Sequence, residues 1–166
     1  MDTIFLIIIG VLSRLAPHPA NVTAVGALAV FSGSRYGITK ALAITVGTML
    51  LSDMVLGFHA VMWATYGSFA LSVILAGLFL RKQSITRIAG VIMASSILFY
   101  VVTNFAVWVV PGSMYPKTFA GLIESYIMAL PFLRNSLVGD ISYSAIFFGS
   151  YALVKAWYPR LKTLHP

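Results

Sequence analysis

Apolar residues fall into seven stretches, 3–15, 21–32, 38–56, 58–80, 85–110, 118–132 and 141–157. Stretches of this length read as helices, and a helix needs about 20 residues to cross a hydrocarbon core of about 30 Å. The third, fourth, fifth and seventh stretches meet or approach that length. The first two do not: at about 1.5 Å per residue they reach only about 20 and 18 Å. They pair as a short hairpin that dips below one face of the bilayer. Its tip is Pro17, His18 and Pro19. Proline lacks the N–H and clashes with the preceding turn, so these two cannot share one regular helix. Asn21 or Thr23 can cap the second helix. A turn is expected over 33–37, a basic loop over 81–84 and another turn over 111–116. The stretch 133–139 is polar, and Asp140 is placed to cap the last span.

Composition fixes the class. The chain is 60% hydrophobic and 9% charged, with mean hydropathy +0.94. Soluble domains carry about 25% charged residues. One integral membrane domain over 1–166 follows, set in a lipid bilayer. Cysteine is absent, which excludes disulfides and thiolate chemistry. Residues 3–12 resemble a signal-peptide core, but Asp2 stands where a basic residue is usual, so a retained first helix is expected.

The eleven Lys and Arg against four Asp and Glu would suggest nucleic acid in a soluble protein. Here they lie between apolar runs and report topology instead. If all seven stretches cross, the N-terminal side holds six basic residues and the other side five. If 118–132 is re-entrant or interfacial, the N-terminal side holds eight (35, 40, 81, 82, 87, 155, 160, 162) and the other three (14, 117, 134). The positive-inside rule favours the second count. The expected architecture is therefore all-α with six transmembrane helices, a short first hairpin and a re-entrant or interfacial helix over 118–132. Both termini face the cytoplasm.

That topology collects the unusual polar residues at the outer face. His59, Trp63 and Tyr66 fall at i, i+4 and i+7, one stripe of a helix. Asp53 sits just before them, as part of a ligand wall, as a cap, or as the partner of Arg14. Tyr100, Asn104 and Trp108 repeat the spacing; Asn104 serves either a ligand or a neighbouring helix. His18 and Asn21 either line the same site or bond their own loop. Glu124 either lines a cavity or lies exposed. Small-residue ladders at Ala43/Gly47, Ser68/Ser72/Ala76, Gly90/Ala94 and Ala145/Gly149 predict close helix packing. Enzyme motifs are lacking: there is no P-loop ending, no H-E-x-x-H and no G-x-S-x-G.

Five segments carry a family likeness: RLAPHPANVT at 14–23, LSDMVLGFH at 51–59, TNFAVW at 103–108, MYP at 114–116 and PFLRNS at 131–136. In this order the chain resembles an uncharacterised family of small bacterial inner-membrane proteins, itself similar to the substrate-binding S components of energy-coupling-factor transporters. The resemblance implies a six-helix subunit that captures a micronutrient, often a vitamin, from outside. It also implies a membrane coupling protein and ATPase subunits as partners. Many S components dock the coupling protein through Ala-xxx-Ala on the first helix. That pattern is missing here, and Ala20 and Ala24 fall at the start of the second stretch.

The expected function is thus a non-enzymatic subunit of a micronutrient uptake transporter, with no cofactor and no metal. Its substrate-binding residues would be His18, Asn21, Asp53, His59, Trp63, Tyr66, Asn104 and Trp108. Two rivals stand beside it: a haem- or metal-binding protein or enzyme using His18, His59 and Asp53, and a ligand-free structural subunit.

Overall fold

The structure is a computed structural model that describes residues 2–164, with side chains up to Trp157. Its described residues form seven α-helices: α1 Thr3–Leu15, α2 Val25–Arg35, α3 Ile38–Leu56, α4 Met62–Phe79, α5 Ile85–Val109, α6 Phe119–Met128 and α7 Leu130–Leu164.

Local chemistry sets most of these boundaries. The Asp2 carboxylate accepts from the Ile4 N–H at 3.3 Å and starts α1. Pro17 biases the residue before it away from the helix, and Ala16 is extended (φ −68°, ψ 149°). The loop then turns through Asn21 in the left-handed region (φ 65°), with the Val22 N–H bonded to the Pro19 carbonyl at 3.0 Å. Gly57, at φ 95°, ends α3 and returns its N–H to the Asp53 carbonyl. Side chains of Ser84 and Thr118 cap α5 and α6.

Four expectations need correction. The second helix starts at Val25 rather than Asn21, and neither Asn21 nor Thr23 caps it. The residue before it is Ala24, whose N–H donates to Ser13 Oγ of α1 at 3.0 Å. Arg35 is still helical, so the turn expected over 33–37 shrinks to Tyr36 and Gly37. His59 lies in a loop ahead of α4, so it is not on one helical stripe with Trp63 and Tyr66. The polar stretch 133–139 is part of α7, which accommodates Pro131 in its first turn, where no N–H is needed. Asp140 is therefore inside a helix, not at its cap.

The bundle is built around α2. All three hydrophobic clusters draw on it: Leu28 and Phe31 with Leu6, Ile44 and Phe147; Val30 with Ala76, Leu80 and Ile92; and Ala29 with Ala41 and Val73. Every residue from Val25 to Gly33 is buried. Phe31 packs on Phe147 and Phe148 with ring centroids 5.7 and 5.2 Å apart. Of the four small-residue ladders, one packs internally: Ser68, Ser72 and Ala76 of α4 are all buried. Gly33 of α2 meets the same face so closely that a Cβ there would strike the Val73 carbonyl. Gly47, Gly90 and Gly149 have open space around them instead.

Four described helices are long and apolar enough to cross a membrane: α3, α4, α5 and the 130–157 portion of α7. Leu50, Met54, Leu78, Met93, Ile97 and Leu153 are exposed along them, as lipid-facing residues are. The helices α1, α2 and α6 have 13, 11 and 10 residues. None reaches the roughly 20 residues a span requires.

The glycine contacts make a differential prediction. Gly33→Ala forces backbone apart and should cost about 1–3 kcal/mol, the usual range for overpacking. Gly90→Ala should be neutral or slightly stabilising, because alanine has the higher helix propensity. Thermal unfolding of both variants in detergent measures the difference; equal melting temperatures would contradict this packing.

Candidate functional site

A cavity of about 330 Å³ lies at the end of the bundle that carries the 16–24 and 57–61 loops. The helices bring their residues to it by antiparallel alternation: Arg14 at the end of α1, Gly26 at the start of α2, Met49 and Leu56 late in α3, Thr65, Phe69 and Ser72 early in α4. Ser95 and Phe99 of α5 and Ser136 and Asp140 of α7 complete the wall. His18 and His59 are exposed and form the rim; Ser72 and Ser95 are almost wholly buried and form the floor. Between them the rings of Phe69 and Phe99 pack with centroids 5.0 Å apart.

Three of the expected binding residues line this cavity: His18, Asn21 and His59. His18 also holds its own loop, with Nδ1 2.8 Å from the Pro19 carbonyl and Nε2 3.3 Å from the Arg14 carbonyl. The loop is pinned from a second direction by Asn135, which donates to the Ala20 carbonyl at 3.0 Å.

Asp53 stands one layer behind. It is 1% exposed and pairs with Arg14 at 2.6 Å. Tyr66 donates its hydroxyl to the other carboxylate oxygen at 2.7 Å. Arg14 also donates to Ser52 Oγ at 2.7 Å and to the Met49 carbonyl at 3.4 Å. A partly buried cation and a buried anion thus neutralise each other and tie α1, α3 and α4 together. Asp53 and Tyr66 act on the cavity through Arg14, which forms part of its wall.

Trp63, Asn104 and Trp108 are not in the lining. Trp63 is exposed on the outside of α4. Asn104 donates to the Tyr100 carbonyl one turn back at 2.8 Å, within its own helix. Tyr100 reaches the Tyr126 carbonyl at 2.6 Å, and Trp108 Nε1 reaches the Pro116 carbonyl at 2.9 Å. Lys117 donates to the Trp108 and Val110 carbonyls. Trp108 and Lys117 therefore fasten the α5–α6 loop, while Tyr100 ties α5 to α6. Glu124 is exposed on α6 and away from the cavity.

Sequence reasoning missed the floor. Asp140 reaches across from α7 to the start of α2. Its carboxylate accepts from Ser96 Oγ at 2.7 Å and faces the backbone N–H of Ala27. The approach depends on Gly26, where a Cβ would fall on the carboxylate itself. The first N–H groups of a helix have no partner within it and carry its positive dipole end. Asp140 supplies that partner from another helix. Ser95 Oγ, by contrast, is buried and has no hydrogen-bond partner. The available signal was an acid, Asp140, directly ahead of the last apolar stretch, since ionisable groups at membrane depth default to functional candidates. The Ser95 and Ser96 pair in mid-span was the second. Among the described residues no group of three or more His, Asp and Glu converges as metal ligands would.

A model of a family of unknown function, DUF6580, matches residues 1–161. The chain belongs to that family. No curated protein and no solved structure matches it. Its four long apolar helices, not the family description, make it a multi-helix membrane protein.

The ion pair behind that cavity predicts a non-additive mutant series. Asp53→Ala leaves the partly buried Arg14 without its counter-charge and should cost up to about 3–5 kcal/mol, the range for breaking a fully buried pair. Arg14→Met combined with Asp53→Leu should recover most of that loss, as isosteric apolar replacement of buried pairs often does. Thermal unfolding of the single and double variants tests this. Additive losses would mean that the two residues do not act as a pair.

Proposed function

We propose that this chain is a non-enzymatic, membrane-embedded subunit that binds a small molecule, of the S-component type. The carrying observation is the cavity of about 330 Å³ with polar groups at rim and floor and an aromatic pair between them. Small-molecule sites are apolar clefts of roughly 300–1,000 Å³ with a few convergent polar groups. The ligand's flat or apolar body lies against Phe69 and Phe99. Its polar ends meet His18, Asn21 and His59 above and Ser95, Ser136 and Asp140 below. Micronutrients such as vitamins combine these features, which favours an uptake role with separate coupling and ATPase partners. The chain supplies no nucleotide motif for that energy.

Six crossings fit this reading: α1, α2, α3, α4, α5 and α7. The shortness of α1 and α2 is compatible with crossing because α2 ends inside protein. Irregular backbone at membrane depth is tolerated where it is buried or lines a cavity. At 10 residues α6 is too short to cross and is assigned as re-entrant or interfacial. The positive-inside count then orients the cavity outward in a bacterial inner membrane, with both termini cytoplasmic.

Two measurements test the proposal. Mass spectrometry of detergent-purified protein should recover a small molecule that is lost from a Phe69→Ala, Phe99→Ala variant of unchanged fold. Recovery of nothing, with no thermal shift from any vitamin, would sink it. The absence of native cysteine makes orientation readable. A Ser113→Cys variant should react with a membrane-impermeant thiol reagent in intact cells, and Ser84→Cys should not. The reverse pattern would invert the topology.

A further inference from the structure

We infer that the ligand of this cavity carries a protonated amine, or a similarly donor-rich cationic group, anchored by Asp140 and Ser95. The inference rests on the small-molecule-binding reading above and deepens it.

Two acids stand at or behind the cavity, and one cation, Arg14, lines it. Arg14 is committed to Asp53 at 2.6 Å, so that pair contributes little net charge. Asp140 has no cationic partner among the described residues. Its neighbours are the neutral Ser96 hydroxyl and the start of α2. The excess charge of the floor is therefore negative.

A carboxylate offers about four lone-pair sites. Ser96 and the Ala27 N–H account for two. Asp140 also lines the cavity, so the remaining acceptor capacity is open to a ligand. Ser95 supplies the independent observation: it is 3% exposed, lines the cavity and has an unpartnered hydroxyl. Buried polar groups almost always find a partner, and each orphan calls for an explanation. Ser136, 7% exposed, lines the same region.

An anion is disfavoured by the same geometry. The start of a helix is normally an anion site, but here Asp140 already occupies the start of α2, and a second anion would meet its charge. A neutral ring would leave the carboxylate's full charge matched only by the partial positive charge at the start of α2. A bare inorganic ion would leave most of the cavity, and the Phe69–Phe99 pair, unused. A ring carrying an ammonium group uses all of these features. Aromatic faces also attract cations.

Three probes with one ring and different head groups test this: 2-phenylethylammonium, 2-phenylethanol and 3-phenylpropionate. Each is titrated by calorimetry into the intact detergent-purified protein. The ammonium should bind at least about ten-fold more tightly than the other two, since hydrogen bonds to charged groups contribute about 1.5–3 kcal/mol. Asp140→Asn should abolish that preference. Because Asp140 also holds α2, Ser95→Ala is the second variant. Its hydroxyl makes no bond within the protein, so the fold is kept while ammonium affinity falls about three- to ten-fold. Equal or tighter binding of the alcohol or the carboxylate would overturn the inference. So would ammonium binding that is unchanged in both variants, or binding of none of the three. Co-purification of a neutral or anionic molecule would overturn it too while leaving the binding-subunit reading standing. Recovery of no molecule by mass spectrometry counts against that broader reading instead.

Discussion

A short helix is buried end-first in the interior, and its first N–H groups must find partners there. This requirement shapes the molecule more than any other. The first turn of α2 is buried, and in a membrane an unsatisfied backbone group costs several kcal/mol. Two other helices supply the partners. Ser13 of α1 accepts from the Ala24 N–H, and Asp140 of α7 faces Ala27 over the bare backbone of Gly26. Small residues follow from the same demand. Gly26 admits the carboxylate, and Gly33 lets α4 approach the far end of the helix.

The cavity is a consequence of that arrangement. Because α2 stops at Val25, the space beyond its N-terminus is walled by longer neighbours and closed by the 16–24 loop. That loop is held without secondary structure by the His18 ring, the Asn21 turn and Asn135. The Arg14–Asp53–Tyr66 network ties the adjoining corner together and leaves it nearly neutral. On the opposite side Asp140 is balanced only by the start of α2.

Much of the fold was legible because helix length and charge are local properties. The bounds 3–15 and 38–56 follow directly from apolar runs ending at Pro17 and Gly57. The start of α2 was not legible, because its cap is Ser13, eleven residues away on another helix. A polar run at 133–139 reads as loop only if each polar residue is assumed to face water. In α7 Asn135 bonds the 16–24 loop instead, and Ser136 lines the cavity. Likewise, spacing put His59, Trp63 and Tyr66 on one stripe, but Gly57 breaks the helix and a new one begins only at Met62.

The site was half visible for a related reason. Residue type alone singled out His18, Asn21 and His59, the polar groups at the rim. It also overvalued Asn104 and Trp108, whose bonds turn out to be local and hold a loop. The floor escaped because serines in a transmembrane helix usually bond the carbonyl one turn back, and so look inert. Ser68, Ser72 and Ser96 do bond that way. Ser95 does not, and only its surroundings in three dimensions show it. Ser95 and Asp140 thus share one cavity wall, the first with no side-chain hydrogen bond of its own and the second with no cationic partner among the described residues, which makes the floor the part of the cavity where bonding within the protein is least complete.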